Sequence, residues 1–351
     1  MIIDAVELRR RYLLRIAGAR DNAVFIGPEE IFFDITNACN LRCRFCITDH
    51  SPGNPDHSKK AEFFPWEKFL GLISDAVDLK VDRIKVSGFG EPTVHPLFRD
   101  MMRHLEHQPI KTVLVTNGTF PLDFCSDVLR GDQVLINLSA ADRQQYIELK
   151  GKDFFDRVIS NIKRLVTLRD TIKLGFDIKI RCVVNAANVG QKQKMQEMAE
   201  GLGLDPVDFV DMNMHEYNQE IGLPSSPMED TVSRILREVF QSSDTAFGDY
   251  RDDENKAPPV CLNGWFYVLV MSSGHLSICY RIPHMRKGDL DKRSFKDFWL
   301  SPHMKEMRLL GKYGHIQKMY KVCQICPFHR ENKNRTRSLV KARNMARSKV
   351  I

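Results

Sequence analysis

The stretch Ile31-Phe32-Phe33-Asp34-Ile35, followed by Cys39-Asn40-Leu41-Arg42-Cys43-Arg44-Phe45-Cys46, decides the reading of this chain. The five leading residues, rich in branched and aromatic side chains, read as a strand. The loop behind them spaces three cysteines as CxxxCxxC. Three thiolates without a local fourth ligand are an incomplete set for structural zinc, which takes four protein ligands. They suffice for a [4Fe–4S] cluster that keeps one iron open to a small molecule. An open iron points to chemistry rather than architecture. The competing assignment is a zinc site completed by a distant His or Cys.

Working outward, strand-like runs alternate with segments of helical apolar spacing. Strands are expected over 83–87, 112–116, 133–139, 173–184 and 206–212. Helices are expected between them over 66–79, 97–107, 142–149, 154–168 and 191–202. Strand, helix, strand in this order implies a parallel sheet. In β/α barrels the chemistry gathers at the C-terminal ends of the strands. The cysteine loop, Gly88 to Glu91, Ser139 and Asn185 all fall at such ends.

One of these ends carries Ser87-Gly88-Phe89-Gly90-Glu91-Pro92-Thr93-Val94-His95-Pro96, and Tyr146-Ile147-Glu148-Leu149-Lys150-Gly151 follows later. With the cysteine loop, these segments resemble the radical S-adenosylmethionine (SAM) family, in its expected order and over roughly residues 28 to 327. The family hallmark is CxxxCxΦC with an aromatic at Φ, here Phe45. The glycine doublet of the family's GGEP segment is interrupted by Phe89, so the match is to GxGEP.

The resemblance implies an α/β fold, a partial (β/α)6 TIM-like barrel. It implies that Cys39, Cys43 and Cys46 ligate a cluster whose open iron holds the amino and carboxylate groups of SAM. One electron then splits SAM into methionine and a 5′-deoxyadenosyl radical that abstracts hydrogen from substrate. Phe45 would lie against the adenine, and Gly88, Gly90 and Glu91 would meet the SAM amino group. Small residues let the backbone approach a ligand, and a carboxylate suits an ammonium-like donor. Ser139 would contact ribose or carboxylate, and Asn185 the adenosine. Arg181 shares a strand face with Asn185; it would pair with the SAM carboxylate, or form a salt bridge in the barrel wall.

A second cysteine set lies downstream. Cys261 and Cys279 flank two strand-like runs, 265–271 and 275–278, joined through Ser272-Ser273-Gly274 as a hairpin. Cys323-Gln324-Ile325-Cys326 follows a helix expected over 295–310. Four thiolates make a closed site, for which zinc and [4Fe–4S] are both chemically suitable. The arrangement resembles the auxiliary-cluster domain of SPASM and twitch radical SAM enzymes, and most of all the aminocyclitol-oxidising (2-deoxy-scyllo-inosamine dehydrogenase-like) twitch group. Nothing after Cys326 supplies ligands for a further cluster, so the resemblance implies two [4Fe–4S] clusters in all. The expected units are a helical extension (1–27), the barrel (28–225), a linker with a helix (226–259), the auxiliary domain (260–329) and a basic tail (330–351).

The 351 residues are 43% hydrophobic and carry a formal charge of +7. Residues 330–351 hold eight basic residues against one acid, Glu331, which accounts for that entire excess. A near-neutral body argues against a broad nucleic-acid-binding face, and the tail reads as a solvated terminus. No apolar run approaches the ~20 residues that span a bilayer, and residues 1–20 lack the apolar core of a secretory signal. Nine cysteines without such a signal fit thiolates in a reducing cytoplasm better than a disulfide framework. Cys125 and Cys182, outside both sets, read as small buried hydrophobes.

The resemblance leaves several reactions open. One is oxidation of a sugar, aminocyclitol or nucleoside-like alcohol, with the auxiliary cluster accepting an electron and a flavodoxin- or ferredoxin-like partner as reductant. Others are peptide maturation and redox-neutral decarboxylation or epimerisation. Only about 28 residues precede the first strand, few for a peptide-recognition domain. A non-enzymatic electron carrier or RNA-binding metalloprotein would have no use for GxGEP at a strand end. His215, Arg281 and His284 are candidates for proton transfer or substrate binding, with nothing to choose among them.

Overall fold

The structure is a computed structural model and describes residues 4–46, 61–172, 176–211, 261–279 and 288–313. Its strands are β1 (Glu30–Phe33), β2 (Arg83–Val86), β3 (Lys111–Thr116), β4 (Gln133–Asn137), β5 (Asp177–Val184), β6 (Asp208–Asp211), β7 (Tyr267–Val270), β8 (His275–Ser277) and β9 (Gly288–Asp289). The helices are α1 (Ala5–Asp21), α2 (Trp66–Asp78), α3 (Phe98–Glu106), α4 (Cys125–Val128), α5 (Arg143–Lys150), α6 (Phe155–Ile172), α7 (Lys192–Gly201), α8 (Asn263–Phe266), α9 (Phe295–Trp299) and α10 (Pro302–Lys312).

Strands β1 to β6 are parallel, each paired with the next in sequence. This is the partial barrel that the alternation of strand and helix predicts. One strand face is apolar apart from Thr112 and Thr116 of β3. Ile31 and Phe33, Ile84, Leu114, Val134 and Ile136, and Ile178 and Ile180 are at most 0% exposed and belong to one core with the helices. Burying each such side chain contributes roughly 1.5–3 kcal/mol. Phe33 anchors an aromatic cluster, edge-on to Phe64 at 4.8 Å and stacked on Phe69 of α2 at 6.2 Å. The opposite face carries half-buried polar residues, among them Lys85, Asn137 and Arg181.

The hairpin flanked by the second cysteine set does not stand apart from the barrel. Strand β7 pairs parallel with β1, Glu30 opposite Tyr267 and Phe33 opposite Val270, and the sheet order is β6-β5-β4-β3-β2-β1-β7-β8-β9. Gly274 takes φ +82° in the turn before β8, a conformation suited to glycine. Helix α9 docks on α2, where the Lys296 N–H donates to Asp75 at 2.9 Å. The C-terminal region thereby shares the barrel's core, with Val268, Val270, Phe298 and Trp299 all fully buried.

Three local expectations change. Residues 265 and 266 belong to the helical turn α8 rather than to a strand, because Trp265 and Phe266 pack with Ile16 and Ala19 of α1 in a second small core. The single helix expected over 295–310 is two. Ser301 ends the first and caps the second, accepting from the Met304 N–H at 3.3 Å, with Pro302 in the first turn, where a missing N–H costs nothing. Strand β5 begins at Asp177.

Helix α1 is fastened to the base of the barrel. Arg15, 1% exposed, donates to Asp82 at 2.6 Å and to the carbonyls of Gly27 and Pro28 at 2.8 and 2.9 Å. A buried guanidinium is tolerated because its donors are engaged. No helix among the described residues is long and apolar enough to cross a membrane. His215, Arg281, His284, Cys323, Cys326, the linker helix and the basic tail lie outside the described residues.

Candidate functional site

The cysteine loop leaves the C-terminal end of β1 and is held from two sides. The N–H groups of Arg42 and Arg44 donate to the carbonyls of Lys150 and Leu149, at 3.1 and 2.9 Å, so the loop lies against the C-terminus of α5. Gly151 permits this approach: a Cβ there would sit 2.5 Å from the Arg42 carbonyl oxygen. On the other side Asn40 joins the loop after β3. Its amide donates to Thr119 at 2.7 Å and its oxygen accepts from Asn117 at 2.9 Å.

The loop's thiols are only partly exposed. Burial pushes Cys39 up to about 12, with Glu91 and the neighbouring thiols adding to the shift. Burial likewise raises Cys43, opposed by Lys150. Three thiolates here demand a positive centre, which an iron–sulfur core supplies. The donor set therefore fits a cluster.

The GxGEP loop is built by close approach. A Cβ on Gly90 would sit 2.3 Å from the Ala38 carbonyl oxygen and 2.4 Å from that of Thr36. A Cβ on Gly88 would sit 1.9 Å from Asp34 Oδ1. These glycines bring backbone against the cysteine loop, as a ligand-side loop requires. Glu91 is engaged within the fold. It is 2% exposed, and its Oε1 accepts from the Thr93 N–H at 3.2 Å and from the Thr93 and Thr116 hydroxyls at 2.7 and 2.6 Å. Its Oε2 accepts from the Asn117 N–H at 2.6 Å. Burial raises this carboxyl despite these donors. Glu91 is thus a tie between the ends of β2 and β3, with its ligand-facing capacity confined to Oε2.

Ser139 and Arg181 are also committed to the fold. Ser139 is fully buried; its hydroxyl donates to Asn137 at 3.2 Å and accepts from the Val183 N–H at 3.2 Å, stitching β4 to β5. Arg181 pairs with Asp208 of β6, at 2.7 and 2.6 Å. That is the salt bridge in the barrel wall, the alternative to a SAM carboxylate contact. Asn185 differs. Its oxygen accepts from the Ala187 N–H at 2.9 Å, but its buried side-chain NH2 has no partner. A buried amide with an unpaired donor costs free energy unless a ligand supplies the acceptor. Phe45 is half-buried in the cysteine loop, with the Lys150 ammonium 5.0 Å from its ring centre.

Asp34, quoted in the sequence only as part of a strand, joins both halves of the site. It is 1% exposed; Oδ1 accepts from the Phe89 N–H of the GxGEP loop at 2.9 Å, and Oδ2 from the Ser272 N–H of the β7–β8 turn at 3.2 Å. Burial pushes it up to about 7, and Glu62 adds to the rise. A lone acid inside an apolar run at a strand's C-terminal end was the available signal. Tyr146 and Lys150 were quoted only as part of a family-like segment, and Asn137 only within a strand, with no role given to any of them.

Of the second cysteine set, Cys261 and Cys279 are described. The Cys261 N–H donates to the Gly311 carbonyl at 2.9 Å, which fixes it on α10. Cys279 is 9% exposed, and Asn263 donates toward its sulfur at 3.9 Å. Asn263, two residues beyond Cys261, thereby draws the hairpin's end toward it.

Residues 33–174 match the radical SAM superfamily, and residues 261–327 match an iron–sulfur cluster-binding domain, SPASM. The chain is 24% identical over 332 residues to a tungsten-containing aldehyde ferredoxin oxidoreductase cofactor-modifying protein of Pyrococcus furiosus, covering 84% of this chain and 86% of that protein. It is 27% identical over 190 residues to a probable GTP 3′,8-cyclase of Metallosphaera sedula, and there it spans 56% of the relative and 53% of itself. The fold is similar to Streptococcus suis SuiB bound to S-adenosylmethionine, with a TM-score of 0.61 at 16% identity, covering 92% of this chain and 76% of that one. It is also similar to anSMEcpe with bound AdoMet, with a TM-score of 0.54 at 15% identity, covering 86% and 87%. With the two matched domains go SAM and two [4Fe–4S] clusters as cofactors. The chain belongs to the radical SAM superfamily, with a SPASM-type iron–sulfur domain whose first strand is built onto the barrel's own sheet.

Proposed function

We propose that this radical SAM enzyme is an oxidoreductase that removes hydrogen from a carbinol carbon of a small polar alcohol, such as a sugar, aminocyclitol or nucleoside. When bound, the N-terminal cluster with SAM supplies the hydrogen-abstracting radical, and the auxiliary cluster supplies a sink for the electron left on the substrate. Cys39, Cys43 and Cys46 would hold the first cluster, and Cys261, Cys279, Cys323 and Cys326 the second. Gly88 and Gly90 would admit the SAM amino group to the loop backbone, and Phe45 would flank the adenine. Asn185 would donate its unpaired NH2 to the adenosine.

The observation that carries this reading is the pair of hydrogen bonds that Asp34 accepts, from the Phe89 N–H on the SAM side and from the Ser272 N–H at the turn of the hairpin that Cys261 and Cys279 flank. Asp34 ties the GxGEP loop to that turn, while Cys261 and Cys279 stand at the other end of the hairpin, beside the start of β1, so one continuous sheet links the two cofactor regions. Such an oxidation delivers a hydrogen atom to the 5′-deoxyadenosyl radical, the hydroxyl proton to a base and the remaining electron to the auxiliary cluster, and a shared sheet would fix the distance that electron crosses. A flavodoxin- or ferredoxin-like reductant would charge the first cluster.

The test is anaerobic turnover of reconstituted protein against a panel of sugars and aminocyclitols. The wild type should hold about eight irons and release 5′-deoxyadenosine with a ketone or aldehyde product. Cys261→Ala should lose about half the iron, still cleave SAM, and lose the oxidised product. A Cys261→Ala enzyme that oxidises as fast as the wild type ends the oxidoreductase reading. A second reading, modification of a larger molecule, draws on the alignment with the cofactor-modifying protein along 86% of its length. It predicts product from a cofactor precursor or peptide and none from the panel.

Asn185→Ala gives a narrower prediction. Losing one hydrogen bond to a bound ligand costs about 1.4 kcal/mol, so SAM should bind about tenfold more weakly with iron content unchanged. Equilibrium binding to the reconstituted protein measures it, and an unchanged Kd removes Asn185 from the SAM site.

A further inference from the structure

Helix α5 ends in a buried cation. Lys150 is 2% exposed, and its ammonium donates to the carbonyl oxygen of Asn137 at 3.1 Å and to Asn137 Oδ1 at 3.0 Å. Both acceptors are neutral. Among the described residues no carboxylate lies within ion-pair distance of it. Buried Arg15 is matched to Asp82, whereas Arg308 and Lys312 are buried on neutral acceptors as Lys150 is; Lys150 differs from those two in standing against the cysteine loop. Taking an ammonium out of water without a counter-charge costs several kcal/mol. An anion beside Lys150 would offset that cost.

The surroundings indicate where that anion belongs. The Lys150 ammonium stands over the Phe45 ring, whose residue precedes Cys46, and the Lys150 carbonyl accepts from the Arg42 N–H, whose residue precedes Cys43. One helical turn earlier, on the same face of α5, Tyr146 is fully buried with a hydroxyl that has no partner. An ammonium short of an anion and a hydroxyl short of an acceptor therefore sit four residues apart on the helix that cradles the cysteine loop. Three thiolates around a 2+ iron–sulfide core carry a net charge of −1, and −2 after one electron is taken up.

We propose that Lys150 and Tyr146 are positioning residues that form a positively polarised wall against the N-terminal cluster and raise its reduction potential. A fixed cation in a low-dielectric site favours the more negative, reduced form. Lys150 acts as counter-ion, and the Tyr146 hydroxyl donates to a cluster or thiolate sulfur. The inference rests on the cluster being held by Cys39, Cys43 and Cys46.

The test is an anaerobic redox titration of the SAM-free holoenzyme followed by EPR, with the N-terminal cluster identified by its response to later addition of SAM. Lys150→Met should keep about eight irons and bind SAM within about twofold of wild type. Its reduction equilibrium constant should fall at least tenfold, about 59 mV for one electron. Lys150→Arg should restore most of the potential, and Tyr146→Phe should lower it in the same direction. A wild-type potential in Lys150→Met overturns the proposal. So does SAM binding weakened tenfold with the potential unchanged, which would make Lys150 a SAM ligand. Where Lys150→Met does not fold, Tyr146→Phe decides, and an unchanged potential there overturns the proposal. Iron content separates this failure from that of the underlying site: Cys43→Ala retaining all its iron would displace the cluster itself, whereas loss of about half leaves the wall alone in question.

Discussion

Replacing Glu91 with alanine is expected to destabilise the protein by about 4 kcal/mol and to abolish SAM binding with it. The reason lies in what the carboxylate satisfies rather than in its charge. Four donors converge on it: the N–H and hydroxyl of Thr93, the hydroxyl of Thr116 and the N–H of Asn117. The hydroxyls can rotate to other acceptors, but the two backbone N–H groups cannot. Each buried donor left unpaired costs roughly 1–3 kcal/mol. The damage also spreads. Asn117 accepts from the Thr119 N–H and hydroxyl and donates to Asn40 in the cysteine loop, so losing its anchor loosens the loop that holds the thiols. Glu91→Gln keeps one oxygen for the Thr93 and Thr116 donors and turns an NH2 toward Asn117, so it should cost about half as much. Anaerobic denaturant titration of the three proteins measures this. An alanine variant within 1 kcal/mol of wild type would mean that the network reorganises freely and that Glu91 is not a structural tie.

Glu91 also shows where reading the sequence stops. The motif marks the residue, and the chemistry of a carboxylate suggests an ammonium partner. Nothing in GxGEP reveals that Thr93, Thr116 and Asn117 will saturate it, because Thr116 and Asn117 come from the next strand. The partners of Ser139 and Arg181 were hidden for the same reason, since they lie on β5 and β6. The barrel strands were legible as short runs, apolar or alternating apolar with polar, between segments of helical spacing. The break at Ser301-Pro302 was visible as a cap signal and was overridden by an apolar spacing that continued across it. The pairing of β7 with β1 had no local signal at all, since it joins residues more than two hundred positions apart. That Asn185 directly follows β5 was legible from the end of the apolar alternation.

Asp34 should give the protein a distinctive pH dependence. Its carboxyl is displaced upward to about 7, from 3.8, which means that the folded state binds the proton more tightly than the unfolded one. Between those two values the folded protein holds a proton at Asp34 that the unfolded chain has released. Stability from this residue is therefore complete below 3.8 and lost as pH rises to about 7, beyond which the loss is constant. At about 1.36 kcal/mol for each unit, the change amounts to roughly 4 kcal/mol. The physical origin is burial of the carboxylate among backbone N–H groups too few to replace water, with Glu62 as an opposing like charge. Asn at position 34 cannot ionise, so Asp34→Asn should be penalised at acid pH, where its NH2 meets the Phe89 or Ser272 N–H. It should gain on the wild type as pH rises from about 4 to about 7 and hold level above that. The measurement is the difference in unfolding free energy between the two proteins across that range, in which contributions common to both cancel. A difference that stays flat with pH would show that Asp34 titrates like a solvated acid, and would remove the buried bridge that joins the GxGEP loop to the auxiliary hairpin.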